Sequence, residues 1–300
     1  MILFSLLCAA ENCRTQHLFP NNGISIMNEE NALLRFIQCE KLDDNFYRGQ
    51  SQNLNTGQIY GGQVLGQAIQ AAQCTVADDR RVHSAHAYFL RRGDVNAPVL
   101  YEVDRSRDGG SFSSRRVVAI QHGHPIFNLS ASFQVDEPGL EFFQTIQPPV
   151  NILEKAIREN RISENPFQTE YLDTYILSPE ERTAPDSLQM WVKTKQPLPQ
   201  GGGTDCSVLA YISDMGLLIS AFVPHQPQTQ GLNGDLNNMV VASLDHAIWF
   251  HRPFRADEWF FYDCRAESTG NSRGFSHGKV FTKDGILVAS TSQEGLLRKN

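Results

Sequence analysis

Two apolar stretches at helical spacing, each followed by β-rich runs broken by turn residues, organise this chain. In the first, Val64, Leu65, Ala68, Ile69, Ala71 and Ala72 recur on one helical face and predict a helix over 63–76, with Gly61 and Gly62 just ahead of it. In the second, Val208, Ile212, Met215, Ile219 and Phe222 form the stripe of a helix over 208–223. After the first helix, 99–104, 112–121 and 126–135 read as strands. Asp108-Gly109-Gly110 and Gly123-His124-Pro125 supply the turns between them. After the second, 259–265, 274–282 and 286–293 read the same way, with turns around Gly270-Asn271 and at Lys283-Asp284-Gly285. Each half is therefore expected to be an antiparallel meander wrapped around one helix. An isolated copy would leave sheet edges exposed, so the two are expected to join into one α+β structure.

The halves also share landmarks. Residues 82–93 (VHSAHAYFLRRG) lie over 242–253 (ASLDHAIWFHRP), which sets His86 against His246, Phe89 against Trp249 and Arg92 against Arg252. From His86 to Gln134 is 48 residues, and from His246 to Gln293 is 47. Such agreement points to a duplication. The expected organisation is a disordered extension over 1–28, a first unit over 29–137, a connector over 138–184 and a second unit over 185–300. The connector carries Pro138, Pro148, Pro149 and Pro166 and a short helix near 152–159.

Composition narrows the class. Hydrophobic residues make up 41% and charged residues 20%, which suits a sizeable core, and the net charge of −7 argues against a general nucleic-acid binder. The six cysteines, at 8, 13, 39, 74, 206 and 264, form no CxxC pair and no Cys/His set with zinc spacing. Reduced thiols in a cytoplasmic protein are the expectation, with neither metal nor cofactor. The start, MILFSLLCAA, lacks the positive charge of a signal peptide and is too short to span a membrane, so no stable membrane insertion is expected. A second Met at 27 precedes the globular sequence, so residues 1–26 read as an extension or an upstream start.

Asp214 is the most informative single residue. It is the sole charged side chain from Val208 to Val223, where a carboxylate is costly unless hydrogen-bonded. Desolvation would raise its pKa toward the range of a general base, or it caps a helix break at Ser213-Asp214-Met215-Gly216. Ser243, read as opening a strand, and Gln293, read as closing the last one, could orient a water beside that carboxylate if their strands are neighbours. Otherwise they are ordinary polar strand ends. Asp245 and His246 are adjacent, so in a strand they point to opposite faces and cannot act together. The match of His246 with His86 favours a structural role common to both halves. Gly274-Phe-Ser276-His-Gly278 fits G-x-S-x-G but lies in a meander, without the strand–turn–helix a nucleophile elbow needs. His122-Gly123-His124 falls in a hairpin turn. No P-loop or dinucleotide fingerprint is present.

The stretch FYRGQSQNL…IYGGQVLGQAIQAA…VHSAHAYFLRRGD…RDGGSFSSRRVVAIQHGHPIF resembles the first half of the acyl-CoA thioesterase II family. YISDMGLL…ASLDHAIWFHRPF…EWFFYDC…STGNSRGF…DGILVASTSQEGLLR resembles its second half. The resemblance runs from about Glu30 to the C-terminus. It implies a double hotdog fold and hydrolysis of fatty acyl-CoA to free fatty acid and CoA by a water held by an Asp, a Thr or Ser, and a Gln. These fall on Asp214, Ser243 and Gln293, which leaves the first half non-catalytic. It also implies an oligomer, with a tetramer of double hotdogs as the form to expect. Backbone N–H groups near Gly61-Gly62 are candidates for stabilising the oxyanion, and Arg91, Arg92, Arg115 and Arg116 for the CoA phosphates. The loop HQPQTQGLNGDLNN looks longer than in bacterial relatives. The ending Arg298-Lys299-Asn300 lacks a peroxisomal Ser-Lys-Leu address, which fits a cytoplasmic, bacterial location. The rival readings are a non-enzymatic acyl-CoA-binding protein on the same fold and a hydratase or dehydratase of acyl thioesters, for which His246 is the candidate acid or base.

Overall fold

The computed structural model describes residues 31–54, 57–162, 170–201, 203–225 and 239–299. The expected extension over 1–28 and most of the loop after Val223 lie outside the described residues.

All described strands form one antiparallel sheet. The first unit contributes β1 (Glu40–Asp43), β2 (Phe46–Gly49), β3 (Arg80–Phe89), β4 (Val99–Asp108), β5 (Phe112–Gln121) and β6 (His124–Val135), in the spatial order β1-β2-β4-β5-β6-β3. The second contributes β7 (Leu172–Ile176), β8 (Ser187–Thr194), β9 (Met239–Ser243), β10 (Asp245–Phe250), β11 (Phe260–Gly270), β12 (Arg273–Thr282) and β13 (Leu287–Lys299). Their order is β10-β13-β12-β11-β8-β7, with β9 also paired to β13. β3 and β10 close the seam between units, with Ala85 opposite Ile248, His86 opposite Ala247 and Ala87 opposite His246. The hairpin turns fall where glycine and asparagine predicted them. His122-Gly123 and Asn271-Ser272 take positive φ, as tight two-residue connections require.

Inside this sheet, α2 (Gly61–Gln73), which follows the short α1 (Ala32–Ile37), lies against α4 (Thr204–Ser213). The first predicted helix therefore starts two residues early, and its glycines are helical. Gly62 is needed there, because a Cβ at that position would stand 2.3 Å from the Tyr211 carbonyl oxygen of α4. The second predicted helix is divided. α4 stops at Ser213, Asp214 is its C-cap, and a short α5 (Leu217–Ser220) resumes after Gly216. The segment Thr204–His225 is long and apolar enough to cross a membrane, yet most of it is buried in the fold as a core helix.

The stretch 138–184 does more than connect. Its helix α3 (Val150–Arg158) sends Leu153 and Ala156 into a second apolar cluster with Tyr175, Trp191, Phe261 and Phe281. β7 then pairs with β8 as the edge strand at the second unit's end of the sheet. Trp191 points away from α4, so the outer face of that sheet needs its own cover, and α3 supplies it.

The side-by-side alignment of the halves needs correction by one residue. His246 is buried on the inner face, whereas His86 is exposed on the outer face, edge-on to Trp249 with ring centroids 5.1 Å apart. A slip of one residue in a strand moves a side chain to the opposite face. The inward neighbours on β3 are Ala85 and Ala87, so the two histidines share no structural role.

Candidate active site

Asp214 sits where α4 breaks, and the surrounding side chains satisfy the carbonyls that the break releases. Tyr60 donates its hydroxyl to the Tyr211 carbonyl at 2.9 Å, and Tyr262 donates to the Ser213 carbonyl at 2.8 Å. The Met215 N–H reaches the Ile212 carbonyl at 3.0 Å. The carboxylate turns away from its own helix end. Asp214 thus stands at the helix break that the sequence suggested, while its side chain bonds groups outside its own helix.

Three donors converge on that carboxylate. Gln293 Nε2 donates to Oδ1 at 2.7 Å, and Ser243 Oγ donates to the same oxygen at 3.2 Å. The third is the backbone N–H of Gly62, in the first turn of α2. That first turn carries the positive end of the helix dipole, which favours a negative charge. Gly61 leaves room for the group, since a Cβ there would lie 2.7 Å from Asp214 Oδ2 and 2.8 Å from the Phe89 ring. Burial dominates the electrostatics and raises the Asp214 pKa to about 6, against the lowering influence of Gln293, Ser243 and Gly62. A carboxylate poised there is an effective base near neutrality.

The strands that deliver these groups differ from the sequence reading in detail. Ser243 ends β9, and Leu244 separates it from β10. Gln293 lies in the middle of β13, whose register runs on to Lys299. Both meet at one spot because β9 pairs with β13, with Ser243 opposite Gly295. The Gly62 N–H, assigned in the sequence to an oxyanion, is instead committed to the carboxylate. Asp245 does not engage His246: its Oδ1 accepts the Glu294 backbone N–H at 2.6 Å. His246 Nε2 lies 2.9 Å from Ser213 Oγ, and burial lowers its pKa to about 4, so the ring is neutral at pH 7.

Arg115 is not a phosphate ligand. It is buried and bonds Thr75 Oγ1 at 2.7 Å, the Thr75 carbonyl at 3.0 Å and Asp108 Oδ1 at 2.6 Å, pinning the chain just after α2. Arg91, Arg92 and Arg116 are exposed. Ser276 of the G-x-S-x-G run is buried within β12, far from the exposed elbow that a nucleophile needs. A cavity of about 780 Å³ opens at the other end of the helix pair, lined among others by Gln70, Cys74, Arg81, His251 and Arg255. Asp214 is not among its lining residues.

A single antiparallel sheet around two antiparallel helices, with a hydrogen-bonded carboxylate buried between them, defines a double-hotdog protein. Residues 170–296 match the family model "Acyl-CoA thioesterase" and residues 50–134 match "Acyl-CoA thioesterase N-terminal domain". Acyl-coenzyme A thioesterase 8 of Homo sapiens is 38% identical over 286 residues, 87% of each chain. Acyl-CoA thioesterase 2 of Haemophilus influenzae is 36% identical, over 89% of this chain and 97% of its own. Among solved structures, an acyl-CoA thioesterase II from Mycobacterium marinum superposes with a TM-score of 0.76 at 38% identity, covering 90% of this chain and 98% of its own. A hot dog protein from Alicyclobacillus acidocaldarius, at 15% identity and a TM-score of 0.71, agrees in fold. The chain belongs to the acyl-CoA thioesterase family.

Proposed function

We propose that this enzyme hydrolyses fatty acyl-CoA with a water molecule activated by Asp214 and oriented by Ser243 and Gln293. The carriage of this reading rests on one observation: a hydroxyl, an amide and a helix N-terminus all converge on a single buried carboxylate whose pKa is about 6. Asp214 takes a proton from the water as its oxygen bonds to the thioester carbonyl carbon. The tetrahedral intermediate then collapses, the carbon–sulfur bond breaks, and the departing CoA thiolate recovers the proton from Asp214. No covalent acyl-enzyme forms. A thioester is activated enough for this route, with general-base assistance contributing about 10²–10⁴-fold.

Release of free CoA thiol from palmitoyl-CoA, compared between the wild-type enzyme and Asp214→Asn, tests the reading. Turnover that survives the substitution would overturn it, and tight acyl-CoA binding without thiol release would favour a binding protein.

The same proposal extends to a cytoplasmic location and a homo-oligomer. The described cysteines Cys39, Cys74, Cys206 and Cys264 are free thiols, in keeping with a reducing compartment. Exposed Tyr88, Leu140 and Phe142 offer apolar area that further subunits would cover. Cell fractionation and light scattering on the purified protein check these two points.

A further inference from the structure

Three buried polar atoms beside the proposed centre complete no hydrogen bond of their own: Gln293 Oε1, His246 Nδ1 and Ser276 Oγ. They belong to three adjacent strands and share the inner face of the sheet. Ser276 on β12 is directly opposite Gln293 on β13. On the other side Ala247 of β10 is opposite Ser292, and one step along the same register brings His246 beside Gln293. His246, Ser276 and Gln293 are each almost fully buried. Leaving an amide carbonyl, an imidazole nitrogen and a hydroxyl unpaired in such a place is costly, and one carbonyl oxygen with two lone pairs can receive both donors.

We infer that His246, donating from Nδ1, and Ser276, donating from Oγ, clamp the Gln293 carbonyl and thereby turn its NH2 group toward Asp214. They are positioning residues, acting through Gln293. The inference rests on the reading of Asp214 and Gln293 given above. It gives a task to two features that the hydrolytic chemistry left unused, the buried histidine and the serine of the G-x-S-x-G run.

The tautomer follows from what surrounds the ring. Ser213 Oγ lies 2.9 Å from both the Ala210 carbonyl and His246 Nε2, and its one proton can serve either. With the imidazole proton on Nε2, the bare Nδ1 lone pair would face the Gln293 carbonyl in a dry site. With the proton on Nδ1, a donor meets that acceptor, and the Ser213 hydroxyl turns to donate to Nε2. The amide is felt at the ring, where it offsets part of the lowering by burial. The first unit supplies a contrast. On the matching inner face Ala85 is paired with Ala131, so the half without a buried acid also lacks the histidine and the amide.

The clamp is tested with His246→Asn, His246→Gln, His246→Ala and Ser276→Ala, with Asp214→Asn as control, in full-length enzyme acting on palmitoyl-CoA. An asparagine amide nitrogen falls near the place of Nδ1, and a glutamine amide nitrogen near that of Nε2. His246→Asn is expected to keep kcat and the acid limb of the pH profile. His246→Gln and His246→Ala are expected to lose about tenfold or more in kcat with KM nearly unchanged. Their acid limb should move to higher pH, because a misaligned Gln293 no longer lowers the Asp214 pKa. Ser276→Ala should shift both quantities in the same direction by less. The groups facing Asp214 from other elements, Tyr60 at the N-cap of α2 and Tyr262 of β11, have pKa values raised above the usual tyrosine value by burial and stay neutral across this range. If the alanine variant misfolds, the two amide variants carry the comparison. Equal rescue by asparagine and glutamine, or a folded His246→Ala with unchanged kcat and acid limb, overturns the clamp. Full turnover in Asp214→Asn instead overturns the underlying site reading.

Discussion

Gln293 and Asp214, 79 residues apart in the chain, are joined by a 2.7 Å hydrogen bond in which the amide donates to the carboxylate. An amide can donate to a carboxylate without competing for its proton. Gln293 therefore lowers the pKa of the acid, whereas the apolar surroundings raise it, and the balance lies at about 6. The activity of the enzyme should follow that balance.

Asp214→Asn removes the proposed base and keeps the shape. We expect kcat to fall by about 10²–10⁴-fold while circular dichroism and the thermal midpoint report a folded protein. Thiol release from palmitoyl-CoA measures the loss.

The pH profile should have an acid limb centred near pH 6. Below that value Asp214 is protonated and cannot accept a proton, and above it the base is available. Gln293→Ala and Ser243→Ala should both lower kcat and move this limb to higher pH, Gln293→Ala by more, because each removes a hydrogen bond that favours the ionised form. Rates recorded from pH 4.5 to 9 decide it.

Stability carries the opposite sign from activity. The folded-state pKa of Asp214 is raised above its unfolded value, so the native state holds the proton more tightly between about pH 4 and pH 6. Its contribution to stability should therefore fall as pH rises through that window, by roughly 3 kcal/mol in total. Urea unfolding of wild type and Asp214→Asn across pH 4 to 7 isolates this difference, since the asparagine variant lacks it.

Gly62→Ala should damage fold and site together. Its methyl group would press on the Tyr211 backbone carbonyl, which a rigid helix cannot move aside. A loss of about 1–3 kcal/mol is expected. Gly61→Ala meets first the Asp214 carboxylate and the Phe89 ring, side chains rather than backbone, so it should lower kcat more than stability. Comparing kcat with chemical denaturation midpoints separates the two.

Arg115→Met should lower stability by about 1–3 kcal/mol and leave KM for acyl-CoA unchanged, because its guanidinium is spent on Thr75 and Asp108. A raised KM in a folded variant would return Arg115 to the substrate.

The sequence revealed what local patterns can reveal. Asp214 stood out because one acid in an apolar helix has a large desolvation cost, and its neighbour Gly216 marked the break. The hairpins were legible because Gly123 and Gly270-Asn271 are strong turn formers. Register was not legible. Overlaying His86 on His246 matched an outward residue with an inward one, and strand alternation makes such a slip total. β8 escaped because Ser187–Thr194 is covered on both faces, by the core helices within and α3 without, so its polar and apolar residues do not alternate. The Gly62 contact could not be read either, since it crosses from one unit to the other.

That last contact determines how the site responds to dilution. The carboxylate belongs to the second unit, and the helix end that faces it belongs to the first. Were the two units separate polypeptides, the site would assemble only above the dissociation constant of the pair, and turnover per chain would fall as the solution was diluted. Joined through residues 138–184, each helix end meets its carboxylate at a fixed local concentration set by the connector. Specific activity should hold constant down to the lowest enzyme concentration at which it can be assayed.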